Sequence, residues 1–96
     1  MNYKLKFLPT ALKEWKKLDN SIRSQFKKKL EKILISPHIT SSQLSGLSNH
    51  YKIKLRASGY RLVYEVVDDE VLIFVIAVGK RDKNIVYKKA QERQKG

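Results

Sequence analysis

The chain has 96 residues, which predicts a single domain over 1–96. It carries 21 basic residues against 9 acidic ones, a net charge of +12, and this excess indicates a polyanionic partner: nucleic acid first, an anionic membrane second, an acidic protein third. The absence of cysteine excludes disulfides, a thiol nucleophile and cysteine-based zinc sites. Because no apolar stretch is long enough to span a membrane or to form a signal peptide, we expect a soluble cytoplasmic protein.

The N-terminal third predicts one strand and two helices. Residues 2–8 alternate apolar and basic side chains, which is typical of a strand with one buried face. Residues 10–18 predict a short helix, and Ser21 to Ile35 predict a second one. The first helix should bury Leu12, Trp15 and Leu18 and turn Lys13, Glu14, Lys16 and Lys17 to water. The second should bury Ile22, Phe26, Leu30, Ile33 and Leu34. Their short connection predicts an antiparallel pair lying on a sheet.

The remainder predicts three more strands and a short helix. A loop over 36–50 leads to strands at 51–56 and 60–65, and a turn at Asp68-Asp69 leads to an apolar strand over 70–78 that Gly79 ends. These three strands should form an antiparallel meander, with both N-terminal helices on one face. The tail, 84–96, predicts a short C-terminal helix. The order β-α-α-β-β-β, followed by that helix, indicates an α+β fold.

The hairpin over 51–64 gathers cations on one face. A two-residue turn at Ser58-Gly59 would place Arg56 opposite Arg61. Like charges directly opposite one another are unfavourable in a sheet, so stability alone does not explain the pattern. The cations on this face are Lys52, Lys54, Arg56 and Arg61. The hairpin therefore predicts a surface that holds an anion.

The strand over 70–78 is apolar at every position from Val71 to Val78, so both of its faces need cover. One set should face the helices: Val71, Ile73, Val75 and Ala77. The other set should face the opposite side: Leu72, Phe74, Ile76 and Val78. The C-terminal segment or a partner protein must shield that second surface, which marks it as an interaction site.

The residue types indicate RNA chemistry without a metal or cofactor. The two histidines, His38 and His50, have no metal-ligand spacing, and there is no glycine-rich phosphate loop. Basic residues interleaved with aromatic ones suit RNA, because cations neutralise phosphates and rings stack on bases. The candidates for phosphate contact are Lys52, Lys54, Arg56, Arg61, Lys80 and Arg81, with Tyr87 as a stacking ring. Tyr51, Tyr60 and Tyr64 should belong to the core. A plain solvated surface is the alternative, and it applies equally to the helix cations Lys13, Lys16, Lys17, Lys27, Lys28, Lys29 and Lys32.

Such a set of residues could cleave RNA by using the substrate's own 2′-hydroxyl as the nucleophile. A lysine among several cations releases its proton more readily than usual and could act as a base. Arg61 suits bidentate stabilisation of the phosphate oxygens in the transition state. Arginine is a poor proton donor, so the enzyme should be slow or should borrow groups from a partner.

Three segments, ALKEWKKLD (11–19), YKIKLRASGYRLVYEV (51–66) and FVIAVGKRDKNIVY (74–87), resemble the RelE toxins of bacterial toxin–antitoxin pairs. The resemblance implies a metal-independent endoribonuclease that cuts mRNA in the ribosomal A site by 2′-hydroxyl attack, leaving a 2′,3′-cyclic phosphate. It assigns proton removal and phosphate binding to Lys52 and Lys54, transition-state stabilisation to Arg61, the leaving oxygen to Arg81 and nucleotide stacking to Tyr87. Which group is the base stays open.

The resemblance also implies partners. These are a RelB-like antitoxin, mRNA, the rRNA of the small ribosomal subunit and, only through the antitoxin complex, operator DNA; a membrane is not among them. Further RNA contacts are expected from Arg56, Lys80, Lys13, Lys16 and Lys17. Two alternatives stay open: a non-catalytic ParE-type toxin of the same fold that binds a protein such as DNA gyrase, and a plain RNA-binding module of the ribosome.

Overall fold

The computed structural model of the chain describes residues 2–39, 43–44, 49–80 and 92–93. Its helices and strands follow in the order β1 (Lys4–Phe7), α1 (Pro9–Lys16), α2 (Asn20–Ile35), β2 (His50–Leu55), β3 (Tyr60–Val67) and β4 (Leu72–Lys80). The predicted α+β class is confirmed. The helix predicted over 84–96 lies outside the described residues except for Glu92 and Arg93, which are helical. Within the described residues, no helix combines the length and apolarity needed to span a membrane.

The four strands form one sheet in the order β1-β4-β3-β2. Strands β2, β3 and β4 pair antiparallel, as the predicted meander requires. Strand β1 pairs parallel with β4, with Leu5 opposite Ile73 and Phe7 opposite Val75. Strands β1 and β2 run in the same direction at opposite edges of the sheet, and the two helices form the long connection that this arrangement requires. Strands β1 and β2 are therefore the two edges of the sheet.

Both helices lie on one face of the sheet and supply much of the core. Pro9 begins α1 at the position where its missing N–H costs nothing. Helix α2 buries the predicted residues Ile22, Phe26, Leu30 and Ile33. In α1, Ala11 is fully buried whereas Leu12 is 36% exposed, so the prediction that Leu12 faces the core was wrong. Ala11, Trp15 and Leu18 follow the i, i+4, i+7 spacing of one helix face, and Leu12 lies about 100° around the axis from it.

Strand β4 contains a β-bulge, and the bulge corrects part of the predicted facing. Val63 pairs with Ala77 but Tyr64 pairs with Val75, so Ile76 is an extra residue on β4. The assignments of Ile73 and Val75 to the helix side, and of Phe74 and Ile76 to the other, are confirmed. The assignments of Ala77 and Val78 were wrong: Ala77 faces away from the helices and Val78 faces them. The one inserted residue reverses the in-and-out alternation of the side chains that follow it. Val71 precedes the strand in a left-handed conformation, with a φ of 51°.

The face of the sheet away from the helices is covered in part by the chain itself. Val63, Ile76 and Ala77 have no exposed surface there, and they pack with three partly buried side chains, those of Leu8, Leu44 and Phe74. Leu8 lies just past β1, and Leu44 belongs to the segment before β2. Part of the cover that the apolar strand required is therefore intramolecular.

Asp68, in the turn between β3 and β4, contacts the side chains of Tyr3 and His38. Its carboxylate accepts a hydrogen bond of 2.8 Å from the Tyr3 hydroxyl and lies 3.0 Å from His38 Nε2. The hydrogen bond from Tyr3, and then the contact with His38, lower the pKa of Asp68 from its ordinary value of 3.8. Both contacts favour the ionised carboxylate, so they contribute stability only while it carries its charge.

We expect Asp68→Asn to lower the melting temperature at pH 5 and to have a smaller effect as the pH falls towards 2. A lowered pKa in the folded state gives stability that is fully present above the unfolded value and is lost as pH falls through the folded value. Thermal unfolding of both proteins between pH 5 and pH 2 measures this. Asp69→Asn, at the neighbouring exposed position, is the control, and a gap that stays constant with pH would contradict the assignment.

Candidate active site

The turn that joins β2 and β3 is longer than predicted. Strand β2 ends at Leu55 and β3 begins at Tyr60, which leaves four residues between them. The Gly59 N–H donates to the Leu55 carbonyl at 2.8 Å, and Gly59 has a φ of 77° that favours glycine. The prediction of a two-residue turn at Ser58-Gly59 was therefore wrong, because the chain closes this wider hydrogen-bonded turn instead.

The longer turn changes which cations meet across the hairpin. Lys54 pairs with Arg61, and Lys52 pairs with Val63. The predicted facing of Arg56 and Arg61 was wrong, since Arg56 lies in the turn and is exposed. The shift is two residues, and the side-chain period of a strand is also two, so every residue keeps its predicted face. Two like charges still lie directly opposite one another, now on Lys54 and Arg61.

Arg61 is a buried cation. It is only 6% exposed, and its Nη1 donates to the carbonyl of Tyr60 at 3.2 Å. Its Nε is buried and has no hydrogen-bond partner in the part of the chain that the structure describes. Across those same residues Arg61 forms no salt bridge with a carboxylate. Burying a charge without a counter-charge is costly, and an incoming anion would remove much of that cost.

Open space adjoins Arg61 on β4. The prediction that Gly79 ends the last strand was wrong, since β4 continues to Lys80 and Gly79 is the register partner of Arg61. A Cβ atom at Gly79 would meet no described atom within 4 Å. Among the described residues, the sheet therefore leaves open space at Gly79, the register partner of Arg61.

The other predicted site residues fall into four groups. Lys52 is half-buried and Lys54 is exposed, and the strand alternation places both on the same face of the sheet as Arg61. The Lys80 ammonium lies 5.6 Å from the centre of the Tyr60 ring, on the face that carries the helices. Arg81 and Tyr87 lie outside the described residues. Three further cations are exposed on the helical side of the molecule and are not part of this cluster: Lys13 and Lys16 in α1, and Lys17 directly after it.

The hairpin tyrosines belong to the core, as predicted. The rings of Tyr51 and Tyr64 stack with their centres 5.5 Å apart. The Tyr64 hydroxyl donates to the carbonyl of Pro37 at 3.0 Å, and burial raises the pKa of this phenol. Tyr60 is partly buried against the same core. These rings fix the hairpin on the helical layer, so its cationic face points away from the core.

Sequence reasoning missed the role of Glu14. One oxygen of its carboxylate accepts from the Val78 N–H at 3.2 Å and from Arg93 Nη1 at 3.1 Å. Arg93 Nη1 also donates to the Ile76 carbonyl at 2.6 Å. The prediction that Glu14 faces water was wrong, because β1 ends at Phe7 and leaves the edge of β4 bare beyond it. A carboxylate and a guanidinium complete the hydrogen bonds of that edge.

The site can hold an anion, and the described residues offer no clear metal site. Within them, no group of three or more histidine, aspartate or glutamate side chains is arranged to hold a metal ion. The arrangement supplies a buried guanidinium, two neighbouring lysines and an open position beside them. These groups can bind a phosphate and stabilise additional negative charge on it.

Comparison with known proteins identifies the class. A family model described as the ParE toxin of the type II toxin–antitoxin system parDE matches residues 5–85. The mRNA interferase toxin RelE of Escherichia coli K12 is 54% identical over 93 residues, which cover 97% of this chain and 98% of the relative. The matches define a small α+β toxin of the type II toxin–antitoxin class. The chain belongs to the RelE/ParE toxin family.

Solved structures agree with this assignment. An E. coli RelE variant with two arginine-to-alanine substitutions, in the free state, matches with a TM-score of 0.90 and 53% identity, covering 97% of this chain and 98% of that one. The toxin in the intact E. coli RelBE toxin–antitoxin complex matches with a TM-score of 0.81 and 55% identity over 83% of this chain and 98% of that one. The predicted resemblance to RelE toxins is confirmed.

Proposed function

We propose that this protein is the toxin of a type II toxin–antitoxin pair and acts as a ribosome-dependent mRNA interferase in the cytoplasm. It cleaves mRNA in the ribosomal A site and so inhibits translation. The single observation that carries the proposal is the buried Arg61, which lacks a carboxylate partner among the described residues and lies beside the open position at Gly79. RelE relatives at 54% identity carry the name mRNA interferase, which supports the same reaction.

The placement of the described cations supports the following reaction. A 2′-hydroxyl loses its proton and attacks the adjacent phosphorus, the bond to the 5′-oxygen of the next nucleotide breaks, and a 2′,3′-cyclic phosphate remains. Arg61 binds the non-bridging oxygens as charge builds on them. Lys52 and Lys54 bind the phosphate and assist removal of the 2′ proton. By family resemblance Arg81 serves the leaving oxygen and Tyr87 stacks on a nucleotide.

The shape and chemistry of this surface support dependence on the ribosome. Lys54 and Arg56 are exposed and Lys52 is half-buried at the surface, so the protein by itself does little to force RNA into the in-line geometry that attack requires. Arginine and lysine are also weak proton donors for a leaving oxygen. A ribosome that holds the mRNA codon in place, and whose own RNA borders the site, supplies what the toxin lacks.

The charge of the chain fits the remaining partners. Lys13, Lys16 and Lys17 on α1, together with Arg56 and Lys80, contribute a positive field towards the rRNA of the small subunit. An acidic RelB-like antitoxin neutralises the toxin, by analogy with the E. coli RelBE complex. Operator DNA is bound only through that complex. The net charge of +12 suits each of these acidic partners.

We expect the wild-type protein to cut mRNA on programmed ribosomes and Lys52→Ala/Lys54→Ala to cut at least about 100-fold more slowly, because transition-state charge stabilisation is worth on that order. Primer extension of the mRNA ends gives the rate. Lys4→Ala/Lys6→Ala is the matched control: it removes the same charge from the same face of the sheet, but at the opposite edge strand.

Equal rates for the two double variants would contradict a role for Lys52 and Lys54. Absence of cleavage by the wild type, together with growth arrest, intact mRNA and damaged DNA, would overturn the proposed function in favour of a ParE-type action on DNA gyrase. The two results are distinguishable in one set of samples, because mRNA ends and DNA integrity are measured separately.

A further inference from the structure

A basic groove runs between α2 and the hairpin. It has a volume of 470 Å³. Helix α2 and the residues after it line one wall, and β2 with its turn lines the other. The lining residues are Lys29, Lys32, Ile33, Ile39, Lys52, Ile53, Lys54 and Arg56. We call this feature the basic groove.

The lining of the basic groove combines positive charge with apolar surface. Five of the eight lining residues are cationic and none is acidic. The other three are isoleucines, and Ile39 is 38% exposed although it is a large apolar side chain. Cations brought together in this way repel one another, so the arrangement favours a bound polyanion. The exposed Ile39 adds a surface for the flat, weakly polar face of a base, which a purely phosphate-binding site would not need, whereas Ile33 and Ile53 are buried beneath the groove.

The groove adjoins the proposed cleavage site. It shares Lys52 and Lys54 with that site, and these lysines lie about 6.6 Å apart along β2 from the rise of a strand. Lys29 and Lys32 are supplied by a different element, α2, and are exposed. An RNA strand with its reacting phosphate at Arg61 can therefore continue across β2 without leaving positively charged surface.

We propose that the basic groove binds the nucleotides of the substrate mRNA that flank the cleaved phosphate, with Lys29 and Lys32 on the backbone phosphates and Ile39 against a base. The proposal rests on the proposed function for the identity of the strand. The proposal gives α2 a part in substrate binding. It also implies that the toxin binds a stretch of RNA longer than the dinucleotide at which cleavage occurs.

Direct binding tests the groove without the ribosome. The probes are a fluorescent single-stranded octanucleotide with 2′-deoxy sugars and the corresponding dinucleotide, titrated with full-length protein by fluorescence anisotropy. We expect Lys29→Ala/Lys32→Ala to weaken octanucleotide binding about tenfold and to leave dinucleotide binding unchanged. The slope of log affinity against log salt should become shallower by about 1.4, because two phosphate contacts are lost.

The matched control is Lys27→Ala/Lys28→Ala, which removes the same charge from exposed positions of the same helix that do not line the groove. An equal loss in both variants would show a diffuse electrostatic effect and would overturn the groove. A second variant, Ile39→Asn, should weaken octanucleotide binding by a factor that does not change with salt. Thermal melting of each variant shows whether it folds. If Lys29→Ala/Lys32→Ala does not fold, Ile39→Asn still tests the groove.

Cleavage on programmed ribosomes separates the failure of the groove from failure of the proposed function. If the groove binds the substrate RNA, Lys29→Ala/Lys32→Ala raises the concentration of toxin needed for half-maximal cleavage more than the control does. The maximal rate stays unchanged. If the wild type cleaves but the two double variants behave alike, the groove is wrong and the function stands. If the wild type does not cleave, the function is wrong, and octanucleotide binding still decides whether the groove binds RNA.

Discussion

Replacing Arg61 with methionine is expected to stabilise the protein and to abolish cleavage. Arg61 is 6% exposed, and its Nε has no hydrogen-bond partner among the described residues. A buried polar group left unsatisfied costs about 1–3 kcal/mol, and a buried charge costs more. Methionine has a similar length and no charge, so Arg61→Met should raise the free energy of unfolding by about 1 kcal/mol or more.

The same substitution removes the guanidinium that we propose stabilises the transition state, so the cleavage rate should fall by about 100-fold to 1000-fold. Urea unfolding and mRNA-end mapping on programmed ribosomes measure the two effects. Arg23→Met is the control for stability, because Arg23 donates to the Lys16 carbonyl and to the Asn20 side chain, and losing satisfied hydrogen bonds should not stabilise. If Arg61→Met were destabilising by as much as Arg23→Met, Arg61 would not be a strained cation.

An opposite sign for stability and activity would distinguish a functional residue from a structural one. When an arginine that the fold needs is replaced, the protein loses both stability and activity. Arg61 lies between Lys54 on β2 and Gly79 on β4, and neither of these two cross-strand neighbours carries a negative charge. Under the proposed function, the chain keeps this cation at a cost to its own stability, and we expect the RNA phosphate to supply the compensating negative charge.

Side-chain period was enough to predict the faces of the hairpin, but turn geometry was needed for its register. The alternation of side chains predicted that Lys52, Lys54 and Arg61 share one face of the sheet, and the observed register confirms it. The sequence RASG permits either a two-residue or a four-residue connection, and the choice depends on a hydrogen bond between Gly59 and Leu55. Since the two registers differ by two residues, the error moved the like-charge pair without moving any side chain to the other face.

Two other features could not be predicted because the local pattern carries no signal for them. Every residue from Val71 to Val78 is apolar, so a bulge at Ile76 changes nothing that periodicity can detect. The burial of Glu14 depends on where β1 stops relative to β4, which is a matter of tertiary structure. Within α1 it lies among lysines, and a helix of that composition is usually solvated.

Glu14→Ala is expected to destabilise the protein by about 2–3 kcal/mol, which is large for a residue that the sequence assigns to the surface. The change removes the acceptor of the buried Val78 N–H and removes the carboxylate partner of Arg93, whose guanidinium retains its hydrogen bond to the Ile76 carbonyl. The two charged side chains are 18% and 21% exposed, so solvent only partly compensates. Glu14→Gln keeps an acceptor for Val78 and should cost less, about 1 kcal/mol.

Urea unfolding gives the free energies, and Glu31→Ala on the exposed side of α2 is the control, with an expected change within about 0.5 kcal/mol. A double-mutant cycle with Arg93→Ala should give a coupling of about 1 kcal/mol, since the two residues contact each other and also share the edge of β4. The Val78 amide provides a local readout: its hydrogen exchange should accelerate in Glu14→Ala more than global destabilisation accounts for. Unchanged local protection there would mean that Glu14 does not complete the β4 edge, and that the bare edge is satisfied by other groups.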